Sequence, residues 1–439
     1  MKITLVLPAV GKKSGAGYIR SWKMQPLTMA VLAGLTPAEH EVELYDDRLE
    51  DIPFDISTDL VALSIETYTA RRSYEIAREF RKRGIKVIAG GFHATLVPDE
   101  VKEHVDAVTI GEAEGVWQKM LVDAKAGKLQ KRYQSSQRPD LTGIKPCREI
   151  FRNKHYLPLS LVEFGRGCRH SCQFCSICAF YKKTYTHRPV ADVVAEISSL
   201  KDKSLFFVDD NIMADPKAAR ELFIALKPLK RRWISQCSLH AAQDEEMLRL
   251  MKESGCYGLL IGFESLNPGN LSQMGKTVSP VHAQWAPLLG NIRRAGIKIY
   301  ATFIFGYDND DAATIKETLN FALEQKFFLA AFNHLVPFPG TPLYQQFLDE
   351  GRMIHPKWWQ DANYHYGEFS FAPERMPPGE FAKACVQARK DFYSLSSILW
   401  RATDFRANSR GRDILDHFAL NLMLQREVEQ KFGFGLGKE

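Results

Sequence analysis

The sequence has 439 residues, of which 45% are apolar and 25% charged, and a formal net charge of +6. That is core enough for two or three domains in the composition range of soluble globular proteins. The charge is too mild to argue for nucleic acid, which needs its basic residues gathered in a patch or stripe, and no run approaches the eighteen or so apolar residues of a membrane span.

The first residues, Met-Lys-Ile-Thr-Leu-Val-Leu-Pro, make too short an apolar run for a signal peptide and read as a strand, so a cytoplasmic, reducing address is expected. Apolar runs of strand length follow one another at residues 3–7, 41–45, 60–65, 86–89 and 107–110, with helical periodicity over 27–35, 73–83 and 114–126. Strands separated by helices predict a parallel sheet covered on both faces, here a Rossmann-like doubly wound domain over residues 1–135. Ligands of such sheets sit beyond the carboxyl ends of the strands. Small or polar residues stand there: Ser64 and Thr67, then Gly90, Gly91 and His93, then Gly111 and Glu112. The adjacent glycines let a ligand approach the backbone closely. The first strand is not followed by Gly-x-Gly-x-x-Gly, so a dinucleotide is not expected. Residues 136–156 show no clear period and read as a linker.

From 157 to 344 the alternation resumes. Strands are predicted over 157–164, 204–208, 232–239, 257–263, 297–305 and 328–338, and helices over 190–200, 216–226, 244–254, 280–295 and 311–325. Six parallel units form an incomplete (β/α)6 barrel of the TIM type, whose chemistry gathers at the carboxyl ends of its strands. Asp209 and Asp210 follow the second strand, Gln236 and Ser238 alternate at the third, and Glu264 ends the fourth. Phe305, Gly306 and Tyr307 end the fifth, His334 and Val336 the sixth. Asp209 has a second reading as the N-cap of the next helix. Tyr307 and His334 are the candidates for catalysis.

The first barrel strand runs into Gly-Cys-Arg-His-Ser-Cys-Gln-Phe-Cys-Ser-Ile-Cys, so four of the chain's eight cysteines, Cys168, Cys172, Cys175 and Cys178, crowd one loop. In a reducing compartment such a cluster binds metal or does redox work rather than forming disulfides. Zinc also suits paired Cys-x-x-Cys spacings, but it usually draws a second, distant pair of Cys or His, and no such cluster is seen. Three thiolates on a four-iron cluster leave one iron open, whereas four close the site. Cys178 therefore matters: it permits a second register, Cys172, Cys175 and Cys178, or a fourth ligand.

Cys168-x-x-x-Cys172-x-Phe174-Cys175, directly after a strand, resembles the cluster loop of radical S-adenosylmethionine (SAM) enzymes. The resemblance implies a [4Fe-4S] cluster on Cys168, Cys172 and Cys175, with Phe174 beside it and Cys178 a neighbouring buried thiol. The open iron would bind the amino and carboxylate groups of SAM, and one electron would cleave it to a 5′-deoxyadenosyl radical. By the same resemblance Glu264 takes the ribose hydroxyls and Asp209 or Asp210 the methionine ammonium. Gln236 and Ser238 face the carboxylate, and Phe305, Gly306 and Val336 wall the adenine. Gly90-Gly91-x-His93-x-Thr95-x-x-Pro98 in turn resembles the cobalamin-binding domain that precedes many radical SAM domains. It implies cobalamin contacts from Ser64, Thr67, Gly90, Gly91, His93, Gly111 and Glu112. The Asp-x-His-x-x-Gly motif whose histidine ligates cobalt from below is absent, so either cobalamin binds without a histidine lower ligand, the expected case, or the domain is a relic that binds none. A lone His93 reads first as packing or a loop cap.

Residues 345–439 change character. Trp358, Trp359, Tyr364, His365, Tyr366 and Phe369 crowd one segment, and helical periodicity returns over 380–399 and 413–432. A mainly helical region that shapes the substrate pocket is expected, although such an aromatic cluster serves equally as core. The last helix, beside a basic stretch at 401–412, fits a docked terminal helix better than one resting on a membrane surface. The implied function is cobalamin-dependent C-methylation of an unactivated carbon in a small-molecule substrate, a secondary metabolite, lipid or tetrapyrrole. A monomer fed by an external electron donor such as flavodoxin or ferredoxin is expected. The alternative is a non-methylating radical SAM reaction: ring formation, ring contraction or transfer of SAM's aminocarboxypropyl arm.

Overall fold

The computed structural model describes residues 1–12, 17–276 and 285–438. The first sheet contains β1 (Lys2–Leu7), β3 (Glu41–Asp46), β4 (Leu60–Ser64), β5 (Lys86–Gly90), β6 (Ala107–Ile110) and β7 (Arg132–Gln134), in the order β3-β1-β4-β5-β6-β7. A short strand β2 (Gly11–Lys12) lies outside it. All its pairings are parallel. The central β4, Leu-Val-Ala-Leu-Ser, is buried along its whole length, as a strand covered on both faces must be. β7 was not legible as a strand: of Arg-Tyr-Gln only Tyr133 is buried, and three residues at a sheet edge carry no period.

The barrel sheet has the order β15-β14-β13-β12-β11-β8. Its strands are β8 (Ser160–Val162), β11 (Ser204–Phe207), β12 (Arg232–Cys237), β13 (Cys256–Glu264), β14 (Lys298–Phe305) and β15 (Leu329–His334). After β8 the chain makes an antiparallel hairpin of β9 (Gly165–Gly167) and β10 (Tyr185–His187), and the cysteines lie in the excursion between them. Of the expected strand at 157–164 only β8 forms, and β9 begins just beyond it. Of the helix expected at 280–295, residues 280–284 lie outside the described residues, and the remainder forms the helix Trp285–Arg294. On β14 the buried residues Ala301, Phe303 and Phe305 pack under the helices, while Tyr300, Thr302 and Ile304 alternate with them on the half-buried inner face.

The free edge of β15 is covered by side chains from the C-terminal helices, which satisfies backbone groups that an open edge would leave bare. Tyr393 donates its hydroxyl to the carbonyl of Ala330 at 2.8 Å, and Arg401 donates to the carbonyls of Phe327 and Phe328 at 3.1 and 3.0 Å. Arg401 is fully buried, so the stretch at 401–412 does not present a continuous basic surface. Nor does the segment after residue 345 belong to the barrel alone. Trp358, Trp359 and Tyr364 sit in the core of the first domain with Val61, Leu63 and Phe80. The last strand, β16 (Gly437–Lys438), pairs with β2. The aromatic crowding announced a core without saying which one it would join. Among the described residues no helix is long and apolar enough to cross a membrane.

Candidate active site

Two carboxylates after β11 hold the backbone that leads into the cysteine loop. Asp209, wholly buried, accepts the N–H groups of Phe164 at 2.9 Å and Gly165 at 2.7 Å, and Asp210 accepts that of Gly167 at 2.8 Å. Burial pushes Asp209 well above the usual carboxylate range and Asp210 up to about 6. Gly167 is required at the turn: its φ is +91°, and a Cβ there would lie 2.2 Å from the carbonyl of Thr184.

Beyond it, Cys168, Cys172 and Cys175 line a cavity of about 530 Å³ together with Phe174, Asp210, Gln236, Ser238 and Glu264. His240, Lys276, Trp285 and Thr302 also line it. The loop is pinned from outside, Gln173 donating its N–H to Met274 and accepting that of Leu343. Glu264 closes β13 with φ +65° and forms an ion pair with Lys276 at 2.8 Å. Gly262 makes room for it, since a Cβ there would stand 2.2 Å from the Glu264 carboxylate. Cys178 is buried, its sulfur 3.2 Å from the carbonyl of His170. It hydrogen-bonds Cys175, which lowers the Cys175 thiol and raises its own.

The donor set fits a cluster. Three thiols of one loop line a single cavity, and a four-iron cluster takes each thiolate on a separate iron.

A second pocket, of about 180 Å³, opens at the carboxyl ends of β4, β5 and β6. Ser64, Glu66, Gly90, Gly91, Gly111 and Glu112 line it from the first domain. Glu163, Arg166, Phe180 and Tyr181 face them from the barrel side. Gly91 has φ +101° and would carry its Cβ 2.8 Å from the carbonyl of Ile65, so the floor stays flat. Arg166 ties the two sides together through Glu112 at 3.2 Å, Glu114 at 2.6 Å and Glu163 at 2.7 Å. Burial between the domains pushes the Glu66 carboxyl up to about 7.

The family model described as the Radical SAM superfamily matches residues 162–322. The bacteriochlorophyllide d C-12(1)-methyltransferase of Chlorobaculum tepidum is 30% identical over 389 residues, covering 86% of this chain and 84% of that protein. The chain belongs to the radical SAM superfamily. The relative spans both halves of the chain, the first sheet as well as the barrel. The fold is that of two solved radical SAM structures. TsrM of Kitasatospora setae, with tryptophan and a SAM analogue bound, has a TM-score of 0.64 at 18% identity, covering 80% of this chain and 76% of that one. OxsB, with aqua-cobalamin and SAM bound, has a TM-score of 0.69 at 13% identity, covering 98% and 72%.

Several site residues expected of a radical SAM barrel are placed elsewhere. Asp209 faces the backbone rather than the cavity and does not cap the next helix, whose N-cap is Asp215. Phe305 turns outward and stacks on Phe332, Gly306 abuts Phe369, and Val336 packs on the core of the first domain. Tyr307 and His334 do not line the cavity. Their hydroxyl and Nε2 are buried without a protein partner among the described residues, and burial pushes the His334 imidazole down to about 3. Thr67 and His93 are buried and do not line the second pocket. The His93 ring bonds Tyr74 at 3.0 Å and Thr67 at 3.3 Å, and its burial disfavours protonation. Lys276 and Glu66 were missed, Lys276 because a lysine after a Gln-Met-Gly turn carries no spacing signal, Glu66 because it stands between two residues that were singled out.

Proposed function

We propose that the chain is a cobalamin-dependent radical SAM methylase acting on an unactivated carbon of a tetrapyrrole-like small molecule. One observation carries the reading: a single short helix, Ser176–Tyr181, borders both pockets. Its first turn, with Ile177 and Cys178, lines the cysteine cavity, and its last residues, Phe180 and Tyr181, line the interdomain pocket. Two ligands are thereby held side by side, as a transfer between them requires.

When bound, the [4Fe-4S] cluster supplies the electron that cleaves SAM, and cobalamin supplies the methyl group. Cys168, Cys172 and Cys175 would hold the cluster, and Cys178 would support Cys175. Lys276 with Glu264, Gln236 and Ser238 would orient the polar groups of SAM, and Phe174 and Trp285 would exclude water from the cavity. Ser64, Gly90, Gly91, Gly111 and Glu112 would cradle part of cobalamin. Cobalamin would sit there without a histidine below the cobalt. The substrate class is supported by the relative that methylates bacteriochlorophyllide d. The enzyme works as a cytoplasmic monomer with electrons from flavodoxin or ferredoxin.

Incubation of the anaerobically reconstituted protein with cobalamin, SAM and reductant, followed by mass spectrometry, tests the reading. A methylase releases 5′-deoxyadenosine together with S-adenosylhomocysteine. Release of 5′-methylthioadenosine would instead mean transfer of the aminocarboxypropyl arm and would end the methylase reading.

A further inference from the structure

Beyond the β15 edge of the cysteine cavity stands a cation without a counter-ion. Arg389, on the helix Pro378–Phe392, is half-buried. It donates Nε to the carbonyl of Phe332 at 2.9 Å and Nη2 to the Asn333 side chain at 3.2 Å. Among the described residues no carboxylate lies within ion-pair distance of it, whereas nearby Lys431 is paired with Glu427 at 2.8 Å. Capping the edge carbonyl needs one N–H, and a guanidinium has five. Its Nη1 makes no hydrogen bond among the described residues. A charge taken partly out of water and left uncompensated is costly, and a ligand anion would offset that cost.

The place is on the inner side of the barrel mouth. Asn333 pairs in register with Ile304 on the inner face of β14, at the carboxyl ends of the strands where the cysteine cavity opens. Burial raises the phenols of Tyr68, Tyr300 and Tyr366, and the Arg389 charge opposes that rise at all three. Tyr68 and Tyr366 lie with ring centroids 4.9 Å apart, and Tyr366 stacks on Phe434 at 5.0 Å. An aromatic wall therefore stands beside a planar donor fork suited to two oxygens of one carboxylate.

We propose that Arg389, with Asn333, binds a carboxylate of a flat, conjugated substrate that lies against the Tyr68 and Tyr366 rings. This rests on the tetrapyrrole-like reading of the substrate. SAM also carries a carboxylate, but Arg389 is not in the wall of the cavity that holds the cysteines.

The full-length protein, reconstituted with its cluster, is titrated with pheophorbide a, which has one free propionate, and with its methyl ester, following the Soret band. The wild type should bind the acid about tenfold more tightly than the ester, the worth of a charge-assisted pair. Arg389→Gln should weaken the acid about tenfold to the level of the ester and leave the ester unchanged, with SAM affinity intact, and Arg389→Lys should recover part of the loss. The acid and ester comparison on the wild type stands even where a variant folds poorly. Equal binding of acid and ester overturns the proposal and leaves the tetrapyrrole class standing; binding of neither overturns both. A loss of SAM affinity in Arg389→Gln with pheophorbide binding unchanged assigns the cation to SAM and also overturns it.

Discussion

Replacing Asp209 with alanine separates a role in holding the cysteine loop from a role in binding SAM. The wild-type carboxylate accepts two buried backbone N–H groups, those of Phe164 and Gly165, at 2.9 and 2.7 Å. Removing it orphans both. Each unsatisfied buried donor costs about 1–3 kcal/mol, so the pair amounts to roughly 2–6 kcal/mol, a large share of a marginal stability. Asp209→Asn keeps one acceptor and should lose about half as much. The loss falls on the hinge between β8 and β9, one turn before Cys168, so iron retention should suffer with stability. Urea unfolding of the apoprotein and iron counted per chain after anaerobic reconstitution read the two effects. The expected order for both is wild type, then Asn, then Ala. An Asp209→Ala protein with an unchanged unfolding midpoint and full iron, but a raised KM for SAM, would refute the reasoning and return Asp209 to the ligand site.

Cys168→Ala, Cys172→Ala and Cys175→Ala should each lose most cluster iron while Cys178→Ala retains it; the reverse pattern for Cys168 and Cys178 would install the second register. Glu100 accepts hydrogen bonds from His93, Trp359 and Tyr74, which outweigh its burial and hold its carboxyl down at about 2. Because the folded value is below the unfolded one, this contribution is complete above about pH 4.5 and is lost as pH falls toward 2, and it is on the order of 3 kcal/mol. The melting-temperature gap between wild type and Glu100→Gln should therefore shrink between pH 6 and pH 3, and a gap independent of pH would contradict it. Gly306→Ala places a Cβ 2.7 Å from Phe369 at φ +125°, and should destabilise by about 2–4 kcal/mol from overpacking and left-handed strain, read as an earlier urea midpoint. Lys276→Ala leaves Glu264 without its partner and should weaken SAM binding about tenfold by calorimetry, with iron content unchanged.

The alternation of strand and helix, and the three cysteines after a glycine-rich strand end, were legible because both are local: period and spacing survive in one dimension. Orientation was not. Phe305 and Glu264 both end strands, yet one turns toward the helices and the other into the cavity, and the difference is a matter of parity and of a glycine two residues earlier. Asp209 and Asp210 are neighbours in sequence, but alternation sends the first beneath the hairpin and the second to the wall. Arg389 and Tyr366 were missed as a pair because only the tertiary fold brings the C-terminal helix to the β15 edge.

The tryptophans at 358 and 359 make the two halves of the molecule inseparable in folding. The first sheet cannot complete its interior until nearly the whole polypeptide has been synthesised, since the side chains that fill it arrive more than two hundred residues after its last strand. An expression fragment that stops at the end of β7 would leave that space unfilled and its apolar lining bare, and would gather into aggregates rather than yield a free-standing cofactor-binding module.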